Sequence, residues 1–471
     1  MRHLAGQDRQ QAALLPESLE DFVASDHPVR VIDAFIDTLD LAVLAFDKAV
    51  PKDTGRKPYH PGDLLKLYVY GYLNRVSTSR RLERECQRNV ELMWLLRRLR
   101  PDFKTIADFR KDNGTAIRGA CRAFIEFCRE ARLLSAQLVA IDGSKFKAAA
   151  SVDQSLTRKQ LERDRVQIES DVQAYLQRLD QADSDGPGVE LERERVQAAL
   201  QRLQQRSQRL DQLEQAMDAS GRDEHCASEP EARLMRSGRE GTVLGYNVQS
   251  AVEADTGLIV HHAVTDEPGD TRLLQPMAEQ AKAALAVDRL AVLADGGYAN
   301  GEHLEACEQQ GITATVPRRL IPGSRAGLFQ KSDFEYDAAQ DLYRCPADQV
   351  LPRHGRDLDR KLYLYKRSGC NQCPLQSRCT PADTRTVTRH FHEAAYARSE
   401  ARLQADPTLM RRRMGIVERP FAVLKSAMAF RRFSCRGLKA ANTEMSIAVL
   451  GYNLRQMIQR LGAPRLLALL T

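Results

Sequence analysis

Three acidic residues occupy settings in which carboxylates can bind metal ions. Asp142 and Asp295 each end a short apolar run, in LVAIDG and RLAVLADGG, and each precedes a glycine. Such runs predict buried strands, and carboxylates at neighbouring strand ends can share one or two divalent cations. A helix packed against that edge should supply a third carboxylate. We predict Glu418 in MGIVERPFAVLK for this role, with Lys425 two turns later on the same side of the helix.

Four of the ten cysteines are concentrated in YRCPADQ and GCNQCPLQSRC, as Cys345, Cys370, Cys373 and Cys379. Four thiolates can complete a tetrahedral Zn²⁺ site, and the CxxC step is typical of one half of such a site. The sequence favours structural zinc, which would stabilise this segment without taking part in chemistry. Reduced cysteines without a ligand are the alternative.

The elements around the carboxylates predict one interrupted catalytic domain over residues 136–460. We predict strands at LVAIDGSKF, which ends in a turn at Asp142-Gly143, and at GYNVQSAVEADTG, LIVHHAVTDE, RLAVLADGGY and GITATVP. Asp270 should open a helix through Ala284, and a further helix should lie near 301–310. The predicted order of elements is β-β-β-α-β-α-β-α, which is the order of an RNase H-like fold. The predicted fold class is therefore a mixture of α-helices and β-strands.

Two segments interrupt this order. Residues 151–232 have helical spacing around the breaker DSDGPG at 183–188, which predicts a coiled-coil-like helical hairpin. A structural insertion is the simplest interpretation, and an oligomerisation arm or an arm along DNA is the alternative. Residues 321–383, which hold the four clustered cysteines, are predicted to be loop-like. The chain should be helical again from 396, with 461–471 as a C-terminal tail.

Residues 17–135 are predicted to be helical throughout, within an N-terminal domain over residues 1–135. Thr105, with Asp108 three residues later, suggests a capping box at the start of one short helix. Basic residues in this region fit a helix-turn-helix-like DNA-binding domain, and a plain helical bundle is the alternative. The predicted DNA contacts here are Arg80, Arg81, Arg84, Arg88, Lys104, Arg110 and Lys111.

The absence of a long apolar run argues against a membrane protein, and the overall composition does not by itself identify a partner. The 471 residues include 70 Lys and Arg against 63 Asp and Glu, a formal net charge of +7. Because arginine is concentrated in 75–132 and 411–436, local patches suggest a polyanionic partner, although solvated helix faces would look the same. No apolar run has membrane-span length, and the start MRHLAGQDRQ has no signal-peptide stretch. We therefore expect a cytoplasmic protein with mostly reduced cysteines.

Several of these motifs together resemble a known family. IDGSKFKA, GYNVQSAVEADTGLIV, VLADGGYANGEHL and IVERPFAVLK are similar to the successive core motifs of DDE-type transposases of bacterial insertion sequences. The segment from YHPGDLLKLYVYGYLN to PDFKTIADFRKDN resembles the InsH-type N-terminal domain that accompanies them.

The resemblance implies that Asp142, Asp295 and Glu418 form a catalytic triad that binds two Mg²⁺ (or Mn²⁺) ions. It implies that the substrates are the element's terminal inverted repeats and a target DNA, and that the protein is a nucleoid-associated homodimer. Lys425 matches the basic residue that follows the glutamate in relatives and contacts DNA. Relatives often carry arginine four residues before the glutamate, whereas Met414 stands there in this chain and Arg413, a further predicted DNA contact, precedes it.

Two other functions are compatible with these residues. A metal-dependent nuclease would use the same carboxylates without strand transfer, because hydrolysis and transesterification need the same site. A domesticated DNA-binding protein without catalysis is the second alternative. The InsH-like N-terminal block favours the transposase over the first alternative, and the intact triad argues against the second.

Overall fold

The computed structural model describes residues 18–54, 57–184, 190–238, 241–318 and 327–470. Most of the predicted DSDGPG breaker, the first residues of the chain and the start of the 321–383 segment lie outside these ranges. Within them the chain forms a helical N-terminal region followed by a region with a central β-sheet, as the sequence predicts.

In its described residues the N-terminal region has six α-helices: α1 (Pro28–Asp37), α2 (Pro61–Leu73), α3 (Ser79–Arg88), α4 (Val90–Leu95), α5 (Phe103–Asp112) and α6 (Gly114–Glu130). Helix α2 is buried from Pro61 to Tyr72, which makes it the centre of this region. Helix α5 begins earlier than the predicted Thr105 capping box. The Asp102 side chain instead accepts hydrogen bonds from the backbone amides of Lys104 and Thr105, as an N-cap residue does.

A long helical hairpin follows the first strand, β1 (Leu138–Lys147). It consists of β2 (Ser155–Thr157), α7 (Arg158–Ser184), α8 (Glu190–Ser220) and β3 (Glu224–Cys226). Leu161 and Ile168 of α7 pack against Leu210, Leu213 and Met217 of α8, which are all positions of the predicted apolar spacing. Strands β2 and β3 pair in an antiparallel two-stranded sheet that closes the base of the hairpin.

The central sheet is completed by β4 (Arg233–Ser237), β5 (Gly241–Glu253), β6 (Ile259–Thr265), β7 (Leu290–Leu293) and β8 (Ile312–Thr315). Its order is β4-β5-β1-β7-β8, with β6 also paired to β5. Strands β1, β7 and β8 are parallel, whereas β5 runs antiparallel to β1. Helices α9 (Leu274–Leu285) and α10 (Gly301–Gln309) connect the parallel strands.

The Cys-rich segment is a second sheet and not the predicted loop. It contains β9 (Glu335–Asp337), β10 (Leu342–Arg344), β11 (Val350–Asp357), β12 (Leu362–Lys366), α11 (Gln376–Cys379) and β13 (Thr386–His390). The strands pair antiparallel around a small core of Phe334, Tyr343, Leu351, Tyr365 and Val387. The prediction was wrong because these short strands are polar on one face and only isolated aromatic residues mark the other.

Four helices follow: α12 (Glu393–Ala405), α13 (Leu409–Ala422), α14 (Leu438–Leu461) and α15 (Ala463–Leu470). Helix α14 packs against α2 and α6 on one side and β6 on the other, so the N-terminal region and the central sheet share one hydrophobic core. Among the described helices, none combines the length and apolar composition that a membrane span requires.

A buried glutamate joins the two regions. Glu444 of α14 has no exposed surface and accepts hydrogen bonds from the Tyr72 hydroxyl at 2.8 Å and from the Ser434 backbone amide at 2.9 Å. The guanidinium of Arg110, itself buried, lies 3.9 Å from the same carboxylate. Because a buried charge is stable only when paired, this network fixes α5 against α14.

We expect Glu444→Ala to lower the free energy of unfolding by about 3–5 kcal/mol, because it leaves the buried Arg110 guanidinium without its counter-charge. Urea denaturation followed by circular dichroism measures the loss. Glu126→Ala, at an exposed position of α6, is the control and should change stability by less than about 0.5 kcal/mol. Equal effects of the two substitutions would contradict the role of Glu444.

Candidate active site

The pairing of β1 with β7 sets the positions of two predicted catalytic aspartates. Ala140 and Leu293 form the last parallel pair between these strands. Asp142 and Asp295 each lie two residues beyond that pair, and side chains two residues apart in a strand point to the same face. Strand β1 continues to Lys147, so the predicted turn at Asp142-Gly143 is wrong and Asp142 lies within the strand.

Helix α13 covers this face of the sheet. Val417 packs with Ala140 and Leu293 in a small buried cluster. Arg413 lies one turn earlier on α13, and its Nη2 is 2.8 Å from Asp142 Oδ1 and 3.4 Å from Asp295 Oδ2. The residue is only 7% exposed. Arg413, which we predicted to contact DNA, therefore faces the two aspartates in this structure.

The two aspartates share one positive charge in a partly buried site. Burial raises the pKa of Asp142 to about 6, the neighbouring Arg413 opposes this shift, and the charges of Asp295 and Asp270 add to it. The carboxylates thus converge on a cation, and oxygen ligands of this kind are those that Mg²⁺ and Mn²⁺ prefer. The donor set fits a divalent cation at Asp142 and Asp295.

Glu418 lies outside this pair. Its side chain is exposed, and it makes no hydrogen bond or ion pair with any residue in the described ranges. It follows Arg413 by five residues, which separates the two side chains by about 140° around the helix axis. Among the described residues, no group of three or more His, Cys, Asp or Glu side chains is arranged to hold a metal ion. The structure therefore brings together two members of the predicted triad.

Lys425 lies in a π-helical turn, Val423–Ala427, that directly follows α13. Its Nζ donates hydrogen bonds to Ser144 Oγ at 2.7 Å and to the Lys145 carbonyl at 2.8 Å, and it lies 4.6 Å from the centre of the Phe146 ring. Pro420 lies inside α13, three residues before this change of helix type. Lys425 thus ties the end of α13 to β1, close to Asp142.

One carboxylate at this sheet edge was missed by the sequence analysis. Asp270 was predicted only as a helix start, but α9 begins later, at Leu274. Asp270 Oδ1 accepts hydrogen bonds from Asn247 Nδ2 at 2.7 Å and from Gln249 Nε2 at 2.8 Å. The available signal was its position: an aspartate shortly after the third core strand, at the edge where Asp295 also lies.

The two tyrosines of the core motifs, Tyr246 and Tyr298, have no exposed surface. Tyr298 donates a hydrogen bond to Gln249 Oε1, and Tyr246 donates one to Glu229 Oε1 at 2.9 Å. Tyr298 therefore supports the amide that holds Asp270. Packing and hydrogen bonding account for both residues.

The four clustered cysteines line one cavity of about 380 Å³ beside the second sheet. Cys345 Sγ accepts a hydrogen bond from the Gln349 backbone amide at 3.4 Å. Burial raises the pKa of Cys379; the neighbouring Arg385 opposes the shift, and the other three thiols add to it. Four soft sulfur donors around one cavity suit Zn²⁺ in kind and number, although the described side chains are not drawn together at coordination distance in this structure.

Comparison with known proteins identifies the family. Residues 17–112 match the model of a transposase domain (DUF772), and residues 344–458 match the model of a transposase DDE domain. The chain is a DDE-type transposase. The second match includes Glu418 and the four cysteines of this transposase, whereas Asp142 and Asp295 lie outside both matched ranges.

Comparisons with curated proteins and with solved structures give no further information about the site. No curated protein matches the chain. A cryo-EM structure of the piggyBac transposase synaptic complex with hairpin DNA aligns over 94% of this chain and 79% of its own, with 9% identity and a TM-score of 0.36. At that score the similarity carries no argument about the site.

The predicted DNA contacts in the N-terminal region of this transposase differ in exposure. The exposed ones lie on α3 and α5: Arg80, Arg81, Arg84, Arg88, Lys104 and Lys111. Arg110 instead is buried, with its guanidinium 5.5 Å from the centre of the Tyr68 ring and next to Glu444. Its charge stabilises the interior and leaves no surface for a phosphate in this structure.

The glycine after Asp142 leaves the space that Asp270 occupies. A Cβ at Gly143 would lie 2.3 Å from Gln249 Nε2 and 2.9 Å from Asp270 Oδ1. We expect Gly143→Ala to displace this network and to cost about 1–3 kcal/mol of stability, together with most metal-dependent activity. Thermal unfolding and DNA cleavage measure both effects. Gly355→Ala, with no atom within 4 Å of its Cβ position, is the control; a fully active Gly143→Ala protein would contradict the prediction.

Proposed function

We propose that this chain catalyses metal-dependent cleavage at the ends of a bacterial insertion sequence and transfers the freed strand into target DNA. The observation that carries the proposal is the convergence of Asp142 and Asp295 on one buried cation, Arg413, at the end of two parallel strands. The strand order β6-β5-β1-β7-β8, with β5 and β6 antiparallel, supports an RNase H-like catalytic core.

In this proposal Asp142, Asp295 and Glu418 hold two Mg²⁺ or Mn²⁺ ions. Bound there, the ions supply Lewis-acid stabilisation of the phosphoryl oxygens and favour deprotonation of the attacking hydroxyl or water. Asp142 and Asp295 would hold the ions at the sheet edge and so determine where the phosphodiester binds, because bare carboxylates would repel it. Burial raises the pKa of Asp142 to about 6, and a bound cation would oppose that shift as Arg413 does in this structure.

Catalysis also requires a change in α13. Arg413 has to release the two carboxylates, and Glu418, on another side of the same helix, has to turn toward them. Pro420 and the following π-helical turn provide a position where the helix can reorient without breaking the sheet. Lys425 keeps the end of α13 attached to β1 through Ser144 and the Lys145 carbonyl. We propose that a first metal ion displaces Arg413 and that DNA binding then turns Glu418 toward the carboxylates.

The exposed basic residues of α3 and α5 are proposed to bind the terminal inverted repeats. Their positions on two short helices suit contacts with the DNA backbone, because all of these side chains are exposed. Arg88 shares its charge with Glu85, and Arg80 lies over the Phe103 ring. By the family resemblance we propose that the transposase acts as a homodimer on paired element ends. The matched transposase domain at 17–112 supports a role for this region in the same function.

We expect Glu418→Gln to reduce both cleavage and joining of labelled element-end DNA in Mg²⁺ by about 100-fold or more, because it removes one charged ligand from the reacting centre. Asp142→Asn should have the same effect, and Glu126→Gln should retain full activity. Cleavage without joining in the unmodified protein would support the nuclease alternative. Undiminished activity of Glu418→Gln would mean that another carboxylate completes the triad.

We also propose that Cys345, Cys370, Cys373 and Cys379 bind a structural Zn²⁺ ion that fixes the second sheet. The shared cavity and the backbone amide directed at Cys345 Sγ support this assignment. The reaction does not need this ion directly, because the second sheet contributes no carboxylate to the proposed triad.

Metal analysis of the purified protein should find about one Zn²⁺ per chain, and Cys373→Ser should lose it and unfold at a lower temperature. Cys435→Ser, outside the cluster, should keep the metal. A strong chelator should reproduce the lower unfolding temperature in the unmodified protein and leave Cys373→Ser unchanged. Protein that is stable and free of zinc after expression in zinc-containing medium would contradict the assignment.

A further inference from the structure

Asp270 is held in one orientation by two buried amides. Asn247 and Gln249 have no exposed surface, and both direct their side-chain N–H groups to Asp270 Oδ1. The Tyr298 hydroxyl bonds to Gln249 Oε1, which fixes the direction of that amide. A fully buried polar side chain is destabilising unless it is hydrogen-bonded. In this network Asn247, Gln249 and Tyr298 are hydrogen-bonded, and together they position one carboxylate.

The second carboxylate oxygen, Oδ2, lies at the same sheet edge as the two predicted catalytic aspartates. Oδ2 accepts no hydrogen bond from the part of the chain that the structure describes. It lies 3.7 Å from the Cβ position of Gly297, which follows Asp295 by two residues, while Oδ1 lies 2.9 Å from that of Gly143, next to Asp142. Asp270 thus approaches the backbone beside both Asp142 and Asp295, because glycine at each position leaves room for it.

The charges around these carboxylates are not balanced. Three aspartates face two cations: Arg413, paired with Asp142 and Asp295, and Lys145, whose Nζ lies 3.9 Å from Asp270 Oδ1. The Nε of Arg413 is also buried without an acceptor within the described ranges. A guanidinium that leaves one of its own donors unsatisfied is a poor fit to the site, and a compact cation would suit these oxygens better.

We propose that Asp270 is a further carboxylate ligand of the metal centre, acting with Asp142 and Asp295 through its free Oδ2. The inference rests on the proposed metal-dependent function and adds a residue to it. It explains how the site binds a first cation before DNA arrives: Asp142, Asp295 and Asp270 lie at the same sheet edge and close on the ion once it displaces Arg413, whereas Glu418 joins only after α13 has turned.

Mn²⁺ binding to the full-length, DNA-free protein tests the proposal directly. Electron paramagnetic resonance of free Mn²⁺ gives the number of bound ions and their dissociation constant. We expect Asp270→Asn to weaken the tightest site by about 10–100-fold, since the amide keeps an oxygen for Asn247 and Gln249 but loses the charge. Glu267→Gln removes an exposed charge from the same loop and should bind Mn²⁺ within about twofold of the unmodified protein.

Two further variants keep the test decisive. Asp270→Ala should show the same loss as Asp270→Asn, and circular dichroism and thermal unfolding establish that each variant is folded. Glu418→Gln should retain the first Mn²⁺ site in the absence of DNA. Folded Asp270 variants that bind Mn²⁺ as tightly as the unmodified protein would overturn the proposal, as would loss of the first site in Glu418→Gln.

The Mn²⁺-binding experiment can fail or succeed independently of the test of the proposed function. Loss of Mn²⁺ binding in Asp270→Asn, in a protein that never joins DNA, would support the metal ligand and refute the transposition activity. If the unmodified protein joins DNA, and Asp270→Asn binds Mn²⁺ and joins DNA equally well, the result would support transposition. It would refute the role of Asp270 as a metal ligand. The two readouts use the same protein preparation.

Discussion

The parallel pairing of β1 with β7 is the constraint on which the site depends. It ends at Ala140 and Leu293, so that the next residues on the same face are the two aspartates. Val417 of α13 packs on that same pair, which places Arg413 one turn away over the carboxylates. A shift of one residue in this register would turn one aspartate to the opposite face and separate the pair. Backbone hydrogen bonds between two short apolar strands therefore determine the electrostatics of the site.

Much of the catalytic region could be predicted because its strands are continuous apolar runs. LVAID and LAVLAD mark β1 and β7 clearly, and the position of the aspartates beyond their apolar residues follows from side-chain alternation. The sequence did not reveal which face of α13 meets the sheet. Arg413 and Glu418 both lie within one turn of Val417, so helical spacing alone is consistent with either one facing the aspartates. Packing of Val417 into the sheet selects Arg413 in this structure.

Two other features depend on contacts between distant parts of the chain. Asp270 gains its position from Asn247 and Gln249, more than 20 residues earlier, and from Tyr298, 28 residues later. No local sequence pattern indicates such an arrangement, because the contacting residues are far apart in the chain. The second sheet was missed for a different reason, since its strands are short and its aromatic residues are widely spaced. Pairing between neighbouring strands, and not the composition of each one, creates that sheet.

The helical hairpin has a consequence for the reach of the protein. Helix α8 has 31 residues and α7 has 27, and both leave the core through the narrow β2–β3 base. At about 1.5 Å per residue α8 spans roughly 45 Å, the axial length of about 13 base pairs of B-form DNA at 3.4 Å per step. Because β2 and β3 close the hairpin at one end, α7 and α8 extend from that base, and most of their described length lies well away from the carboxylates.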